Sequence, residues 1–310
     1  MMEGGIAVGW KKKGKIYCPS GEHSWELNTF MTPHALKVEE GVIRIWGGVR
    51  DSQGVSRIKY IDVEEKNPSN VLYVSDRPSL DIGNPGCFDD NGVILGDILP
   101  VNNRLFLYYV GFQHVQKVKF FAFSGVAISD DGGKTFERYS EVPIMDRSQQ
   151  GRYGRCIHTV LHEEGIFKCY YAVINDWKKI SDNYYPVYNI WYTSSKDGVT
   201  FPRVDTCLCV DVEGDEYRIG RPKVYKTNDG YEMYYTRDLI SKEYIVGYAI
   251  SKNGVDWIRD DKKAGLQKSK EGWDSEMACY PVKLSTDSGD YLFYNGNGMG
   301  KTGVGYATLE

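Results

Sequence analysis

Two segments of the sequence place carboxylates close enough together for proton transfer. Asp89 and Asp90 are adjacent, and mutual repulsion can raise the pKa of one of them into the range of a general acid or base. Asp274 and Glu276 are two residues apart, so an extended chain presents both side chains on one side. Two alternatives remain open. The first pair could simply form a turn with the Asn-Gly that follows, and at least one member of the second pair could be a solvated surface group.

Two other segments combine arginine with further titratable groups. Arg155 and His158 lie in one of them, and Glu216, Arg218 and Arg221 lie about sixty residues later. A guanidinium grips a carboxylate or a phosphate with two parallel hydrogen bonds, so arginines from two segments predict a site for an anionic ligand. Glu216 is also a candidate acid. The alternative is that these arginines only neutralise the carboxylates around them.

Several other side chains are suited to contact a hydroxyl-rich ligand. The remaining candidates are His34, Arg50, Asp51, Trp273, Tyr280, Asn295 and Asn297. The asparagines lie beside glycines that let a backbone approach a ligand closely, and the aromatic rings could stack on a sugar face. Each has a structural alternative: a plain hairpin loop for the asparagines, packing between sheets for the aromatic rings, and a hydrogen-bonded structural role for the histidine.

A repeat positions all of these segments. Five apolar and aromatic runs end at the equivalent residues Trp46, Tyr109, Tyr171, Tyr235 and Tyr294, which are 59 to 64 residues apart. Another strand candidate precedes each run, and Ser-x-Asp-Gly or similar tight turns follow three of them. Each unit therefore contains about four strands. This pattern predicts an all-β protein, a five-bladed β-propeller of four-stranded antiparallel blades, with residues 1–310 forming a single domain.

The last unit is one strand short, because the chain ends after its third strand candidate. The segment near residues 6–19 supplies a replacement, with Trp10 standing where Phe136 or Trp257 begins the outer strand of another unit. We therefore predict that the N-terminal strand completes the last blade and closes the ring, which removes an open sheet edge. In a propeller the inner strands converge on the axis, where the candidates above would become neighbours.

Composition narrows the class of protein. The chain has 310 residues, with 38 Lys and Arg against 42 Asp and Glu, and lacks the basic strip that nucleic acid or an anionic membrane would require. With neither a signal-like start nor a long apolar run, the sequence predicts a cytoplasmic protein.

Cys207 and Cys209 form a lone C-x-C, so no zinc site is predicted. No cofactor is expected, although a cation among axial carboxylates stays open, as does the oligomeric state.

Four segments carry a resemblance to a known superfamily: residues 86–92, 218–222, 272–281 and 294–297. The sequence resembles the five-bladed propeller glycoside hydrolases, which include invertases, levansucrases and arabinanases. It looks more like an uncharacterised group often encoded among bacterial surface-polysaccharide genes, over nearly the full chain. The hydrolase resemblance implies a central funnel with a carboxylate base or nucleophile in blade one, a second acid that tunes pKa values and a Glu acid from a later blade. Thr32-Pro33-His34 stands where those hydrolases have Asp-Pro.

Two functional hypotheses follow. One is an enzyme acting on a glycosidic or glycosyl-phosphate bond, with Glu276 or Glu216 as general acid, Asp89 or Asp90 as base, and the arginines holding an anionic part of the substrate. The other is a propeller that binds a sugar or nucleotide sugar without turnover, as an accessory to polysaccharide biosynthesis. The missing blade-one aspartate favours the second hypothesis. The number of expected axial carboxylates favours the first, because clustering unused charges is costly.

Overall fold

The computed structural model describes residues 9–241 and 244–309. The strands are β1 Trp10–Tyr17, β2 Asn28–Glu39, β3 Val42–Arg50, β4 Ser56–Glu64, β5 Val71–Val74, β6 Val93–Val101, β7 Arg104–His114, β8 Phe120–Ser129, β9 Glu137–Arg138, β10 Gly154–Glu163, β11 Ile166–Ile180, β12 Asn183–Ser195, β13 Cys207–Val210, β14 Glu216–Thr227, β15 Gly230–Leu239, β16 Tyr244–Ser251, β17 Trp257–Arg259, β18 Cys279–Thr286, β19 Gly289–Asn295 and β20 Val304–Leu309. A 3₁₀ turn covers Asp261–Ala264 and a short helical turn, α1, covers Asn297–Gly300. The all-β prediction is confirmed. In the described ranges, neither helical turn approaches the length needed to cross a membrane.

Strand pairing groups the strands into five units of four. Units 1, 4 and 5 are separate sheets formed by β2 to β5, by β14 to β17, and by β18 to β20 with β1. Unit 2 (β6 to β9) and unit 3 (β10 to β13) share one sheet, joined by a single parallel bridge between Gly154 and Ala122. β1 pairs antiparallel with β20, from Trp10 opposite Leu309 to Tyr17 opposite Val304. Residues 6–8 of the predicted closing strand lie outside the described residues.

The apolar core lies between neighbouring sheets. Adjacent residues of a strand point to opposite faces, so the Tyr108-Tyr109 doublet of β7 packs in two directions. Tyr109 shares a buried cluster with Trp46 of unit 1, while Tyr108 shares another with Tyr171 of unit 3. The sheets are covered on both faces, which explains why the repeated aromatic runs do not alternate with polar residues.

The first strand of each unit contacts the first strands of the units beside it: β2 with β6, β6 with β10, β10 with β14, β14 with β18, and β18 with β2. We call these five the inner strands. In each inner strand the pairing with the second strand of its unit shifts register, and these shifts fall at equivalent positions of the five units. An extra residue in a strand bends it and redirects a side chain. The shifts contain Thr32, Gly96, His158, Arg221 and Tyr280, which we call the bulge ring.

Candidate functional site

The bulge ring has a strained backbone. Thr32, Arg221 and Tyr280 have φ values of 49°, 57° and 52°, in the left-handed region that costs a residue with a side chain about 1–3 kcal/mol. Each is followed directly by proline, which further disfavours helical backbone before it. In unit 2 the position is Gly96, where a Cβ would lie 2.3 Å from the carbonyl oxygen of Ile157. Strain at equivalent positions indicates a place where the direction of side chains matters.

All five members of the bulge ring line one narrow space between the inner strands. His158 and Arg221 also line a second cavity of about 90 Å³. The other residues around this cavity are Ile94, Val110, Phe112, Phe120, Ala122, Cys156, Ala172, Ile174, Pro186, Tyr188 and Arg218. The Arg221 guanidinium donates a hydrogen bond to the carbonyl oxygen of Leu95 at 3.0 Å and lies 3.5 Å from His158 Nδ1.

Two arginines at this site have no acidic partner among the described residues. The polar side-chain contacts of Arg221 are the two just given, and Arg50, at the end of β3, directs Nη2 at Met31 Sδ 3.7 Å away. Arg50 Nε is buried without a hydrogen-bond partner, and burial together with Arg221 lowers the pKa of Arg50. Arg218 differs, because it forms a salt bridge with Asp238. The cavity region therefore holds more positive than negative charge.

Buried tyrosines surround these guanidinium groups. The hydroxyls of Tyr244 and Tyr280 are 2.9 Å apart, and Arg221 lies 5.5 Å from the centre of the Tyr280 ring. Arg218 lies at the same distance from the Tyr188 ring. Burial raises the pKa of all three tyrosines. Their hydroxyls stay protonated at neutral pH. The Tyr244 hydroxyl donates to that of Tyr280, which leaves the hydroxyls of Tyr188 and Tyr280 to donate hydrogen bonds to an anion.

Next to Gly96 of the bulge ring, Asp97 is held by the basic side chains of Lys223 and His34. Its Oδ1 is 2.8 Å from Lys223 Nζ and 3.1 Å from His34 Nδ1. Burial alone would raise the pKa of Asp97, but Lys223 and His34 outweigh it and the pKa lies below its usual value. Burial lowers the pKa of His34 despite Asp97, and it lowers that of His158 further because Arg221 and Lys223 act in the same direction. Both imidazoles are therefore neutral at pH 7.

Four similar ion-pair clusters contain two of the predicted catalytic carboxylates, Asp89 and Asp274, and one predicted ligand-binding arginine, Arg155. In units 2 to 5 the repeat tyrosine donates a hydrogen bond to an aspartate that also pairs with a cation. These Tyr–Asp–cation clusters are Tyr109–Asp89–Arg138, Tyr171–Asp205–Arg155, Tyr235–Asp261–Arg259 and Tyr294–Asp274–Lys12. Asp89, Asp274 and Arg155 are buried in them, and none of the three lines the cavities at the bulge ring. Each cluster lies within one unit, so the structure gives these residues a role in holding the strands and loops of that unit together.

Glu216 is engaged in a similar way. Arg237 and Arg259 both contact its carboxylate, with Arg259 Nη2 at 2.8 Å. Burial alone would raise the pKa of Glu216, but the two guanidinium groups hold it below its usual value. A carboxylate that remains ionised between two arginines is a poor proton donor at neutral pH.

Three more candidates lie in turns. Asp90 accepts a hydrogen bond from the backbone N–H of Gly86 at 2.8 Å, separately from Asp89. Asp51 accepts backbone hydrogen bonds within its own turn. Glu276 is exposed, and its backbone N–H donates to Asn297 Oδ1 at 2.8 Å. Asn297 thus shapes the loop that carries Glu276.

The last two candidates have supporting positions. Asn295 is fully buried, and its Oδ1 accepts the backbone N–H of Thr32 at 2.8 Å, so it supports the bulge ring directly. Trp273 packs against Tyr294 with the ring centres 5.1 Å apart. Of the predicted site residues, His158, Arg218, Arg221 and Tyr280 line the cavities. Arg50 lies close enough to Arg221 and Tyr280 to interact with both electrostatically, and His34 contacts Asp97.

Sequence reasoning did not select Tyr188, Lys223 or Tyr244, which belong to this site. The available signal was proline within the inner strands, at Pro222 and Pro281, because proline inside a strand pattern marks a bulge. Residues near such a bulge are candidates for the site. Among the residues that the structure describes, no three His, Cys, Asp or Glu side chains cluster as metal ligands.

Comparisons with known proteins show which proteins this chain resembles in sequence and in structure. No family model matches the sequence. The chain is 30% identical over 304 residues to the uncharacterized protein Rv1502 of Mycobacterium tuberculosis (strain ATCC 25618 / H37Rv), covering 98% of this chain and 100% of that one. A solved structure described as a glycoside hydrolase aligns over 97% of this chain and 92% of its own, with a TM-score of 0.73 and 17% identity. A thermostable family-43 glycoside hydrolase aligns over 91% and 89%, with a TM-score of 0.68 and 15% identity. The structural neighbours are glycoside hydrolases of the propeller type, which confirms the predicted resemblance.

Proposed function

We propose that this chain, which belongs to the family of the Mycobacterium tuberculosis protein Rv1502, is a carbohydrate-active protein of glycosidase-like architecture. In this proposal the five sheet units are the blades of a five-bladed propeller and β1 closes the ring. The ligand, an anionic sugar or sugar nucleotide, binds on the axis at the bulge ring. Support comes from the successive contacts of the inner strands and from the pairing of β1 with β20.

The observation that carries the proposal is the unbalanced charge of Arg50 and Arg221. Removing a charge from water is costly unless a partner of opposite charge is supplied. Elsewhere in the described chain, Arg155 and Arg218 have such partners, at Asp205 and Asp238. A carboxylate or phosphate of the ligand would supply the missing negative charge, and guanidinium groups bind these oxyanions with two hydrogen bonds.

Calorimetric titration with glucose, glucuronate, glucose 1-phosphate and UDP-glucose tests the proposal. We expect at least one anionic sugar to bind about ten-fold or more tightly than glucose, which corresponds to about 1.4 kcal/mol. Arg221→Met should remove this preference. Arg104→Met is the matched control, because Arg104 is exposed and lines neither cavity at the bulge ring. Equal binding of neutral and anionic sugars, or equal losses in the two variants, would overturn the proposal.

A second candidate function is turnover, with Glu276 as general acid. Among the five predicted catalytic carboxylates Glu276 is the exposed one, and the contact of Asn297 with its backbone holds its loop in place. Asp90 is the remaining candidate base, because Asp89, Glu216 and Asp274 are engaged in ion pairs. A glycosidic or glycosyl-phosphate bond would be the target.

Product analysis with any sugar that binds distinguishes turnover from binding. If Glu276 is the acid, Glu276→Gln should lower the rate about 100-fold or more, while Glu271→Gln, an exposed residue of the same loop, should leave it unchanged. Binding with no product from the unmodified protein would instead favour an accessory role without turnover.

A further inference from the structure

The cavity of about 90 Å³ has two chemically different sides. Arg218 and Arg221 come from unit 4, and His158 and Tyr188 from unit 3. The other wall is formed by apolar residues of units 2 and 3: Ile94, Val110, Phe112, Phe120, Ala122, Ala172, Ile174 and Pro186. A charged side and an apolar side therefore share one small space.

The apolar wall is rigidly packed. Phe112 and Phe120 meet edge to face with ring centres 5.0 Å apart, and Phe120 meets Trp177 in the same way at 5.3 Å. Tyr188 is held against Gly220, where a Cβ would lie 2.6 Å from the tyrosine ring. Such packing keeps the cavity from collapsing, because the side chains around it already occupy close contacts.

Volume limits what this cavity can hold. A cavity of about 150 Å³ accommodates benzene, and pockets that enclose a whole drug-sized ligand begin at about 300 Å³. The present cavity is smaller than either, so it holds a substituent of a sugar ring rather than the ring. A hydroxyl group against the apolar wall would lose its hydrogen bonds to water without replacement. The part of the substituent that faces the apolar wall is therefore apolar, whereas its other side can contact Arg218, Arg221 or His158.

We infer that the ligand of the axial site carries a methyl-bearing substituent close to its negative charge, and that this cavity binds the methyl group. The inference rests on the proposed function, since it concerns the same site. An acetamido group of an N-acetylated amino sugar and the C6 methyl of a 6-deoxy sugar both supply this chemistry. Arg218 and Arg221 line the same cavity, which places the anionic group of the ligand beside the methyl group.

A set of three sugar phosphates tests this inference with the anion held constant. Glucose 1-phosphate is the reference, N-acetylglucosamine 1-phosphate adds an acetamido group, and 6-deoxyglucose 1-phosphate replaces the C6 hydroxymethyl by methyl. We expect one of the two methyl-bearing compounds to bind about ten-fold or more tightly than the reference, and which one does so identifies the substituent. Equal affinities for all three overturn the inference and leave the proposed function standing. If none of the three compounds binds, and no anionic sugar in the calorimetric titration binds either, the proposed function is overturned.

Filling the cavity provides the second arm of the test. Ala172→Leu inserts a larger apolar side chain into the wall and should reduce the ten-fold preference for the methyl-bearing compound to about one-fold. Ile94→Phe fills the same space from another strand, so the test survives if the first variant does not fold, as judged by its melting temperature. A preference that persists in folded variants of both kinds would overturn the inference.

Discussion

The Tyr–Asp–cation clusters and the region of the bulge ring both contain arginine and buried tyrosine, but they differ in the balance of positive and negative charge. In the clusters each aspartate has both a tyrosine hydroxyl and a cation, as at Asp205 with Tyr171 and Arg155. At the bulge ring Arg50 and Arg221 lack a carboxylate partner in the described chain. Matched buried charges hold the strands of one unit together, whereas an excess of one sign points to a partner from outside the chain.

The two regions also differ in backbone conformation. The clusters extend from regular parts of β7, β11, β15 and β19, whereas the bulge ring contains Thr32, Arg221 and Tyr280 at positive φ before proline. Strain of this kind persists only where the surrounding structure compensates for it. At Thr32 part of this support comes from Asn295, which binds the strained backbone N–H. The clusters thus stabilise the fold, whereas the strained backbone of the bulge ring lowers its stability.

The largest expected contrast is between Arg155→Met and Arg221→Met. Arg155 is 1% exposed and its loss leaves Asp205 buried without a cation, which should lower the free energy of unfolding by about 3–5 kcal/mol. Arg221→Met removes a charge with no acidic partner and should change stability by about 1 kcal/mol or less. Urea denaturation of both variants measures the difference. Similar losses in the two would break the comparison.

Asp97→Asn tests a carboxylate that lies next to the bulge ring and has its charge matched by Lys223. We expect a loss of about 2–3 kcal/mol at pH 7, because Lys223 loses its counterion. Since the folded pKa of Asp97 is depressed, its ionised form stabilises the protein above its unfolded pKa of about 4, and this contribution disappears as the pH falls through the lower folded value.

The pH dependence of that pair is measured by urea denaturation from pH 7 to pH 3. The unmodified protein should lose stability more steeply than Asp97→Asn below about pH 4. Parallel curves would show that the charge of Asp97 contributes nothing to the difference between the two proteins.

Thr32→Gly tests the strain. Glycine adopts positive φ without cost, and the substitution also removes a buried hydroxyl that has no hydrogen-bond partner. We expect a gain of about 1 kcal/mol in the free energy of unfolding. Ala35→Gly, in the regular part of the same strand, is the control and should cost about 0.5–1 kcal/mol. A loss at both positions would show that the bulge at Thr32 is unstrained.

The smallest expected effect is the pH dependence of anion binding. Burial and neighbouring cations keep the pKa of His34 and His158 below the ordinary value, so each imidazole gains a proton at a lower pH than a free histidine does. The affinity for a carboxylate sugar that binds should therefore change by less than about two-fold over this range. A marked strengthening at pH 6 would mean that a histidine supplies part of the positive charge.

Much of the fold followed from local patterns. The alternation of aromatic runs with Asp-Gly or Asn-Gly turns predicted β structure, and the observed strands contain all five runs. The sequence also predicted that the segment near residues 6–19 pairs with the last strand, and within it β1 pairs with β20. The pairing of β2 to β5 and its counterparts then follows from short connections between consecutive strands.

Residue type and order along the chain therefore determined the strands, the repeat and the presence of arginine, histidine and tyrosine near the inner strands. Only the tertiary structure decided which charges meet. Asp89 and Glu276 looked equivalent as carboxylates beside a strand, yet Asp89 lies buried against Arg138 and Glu276 is exposed. The physical reason is that pairing depends on contacts between residues tens of positions apart, and a one-residue bulge reverses the direction of a side chain. Arg221 points into the space between the inner strands because of such a bulge, and no local pattern of charge records it.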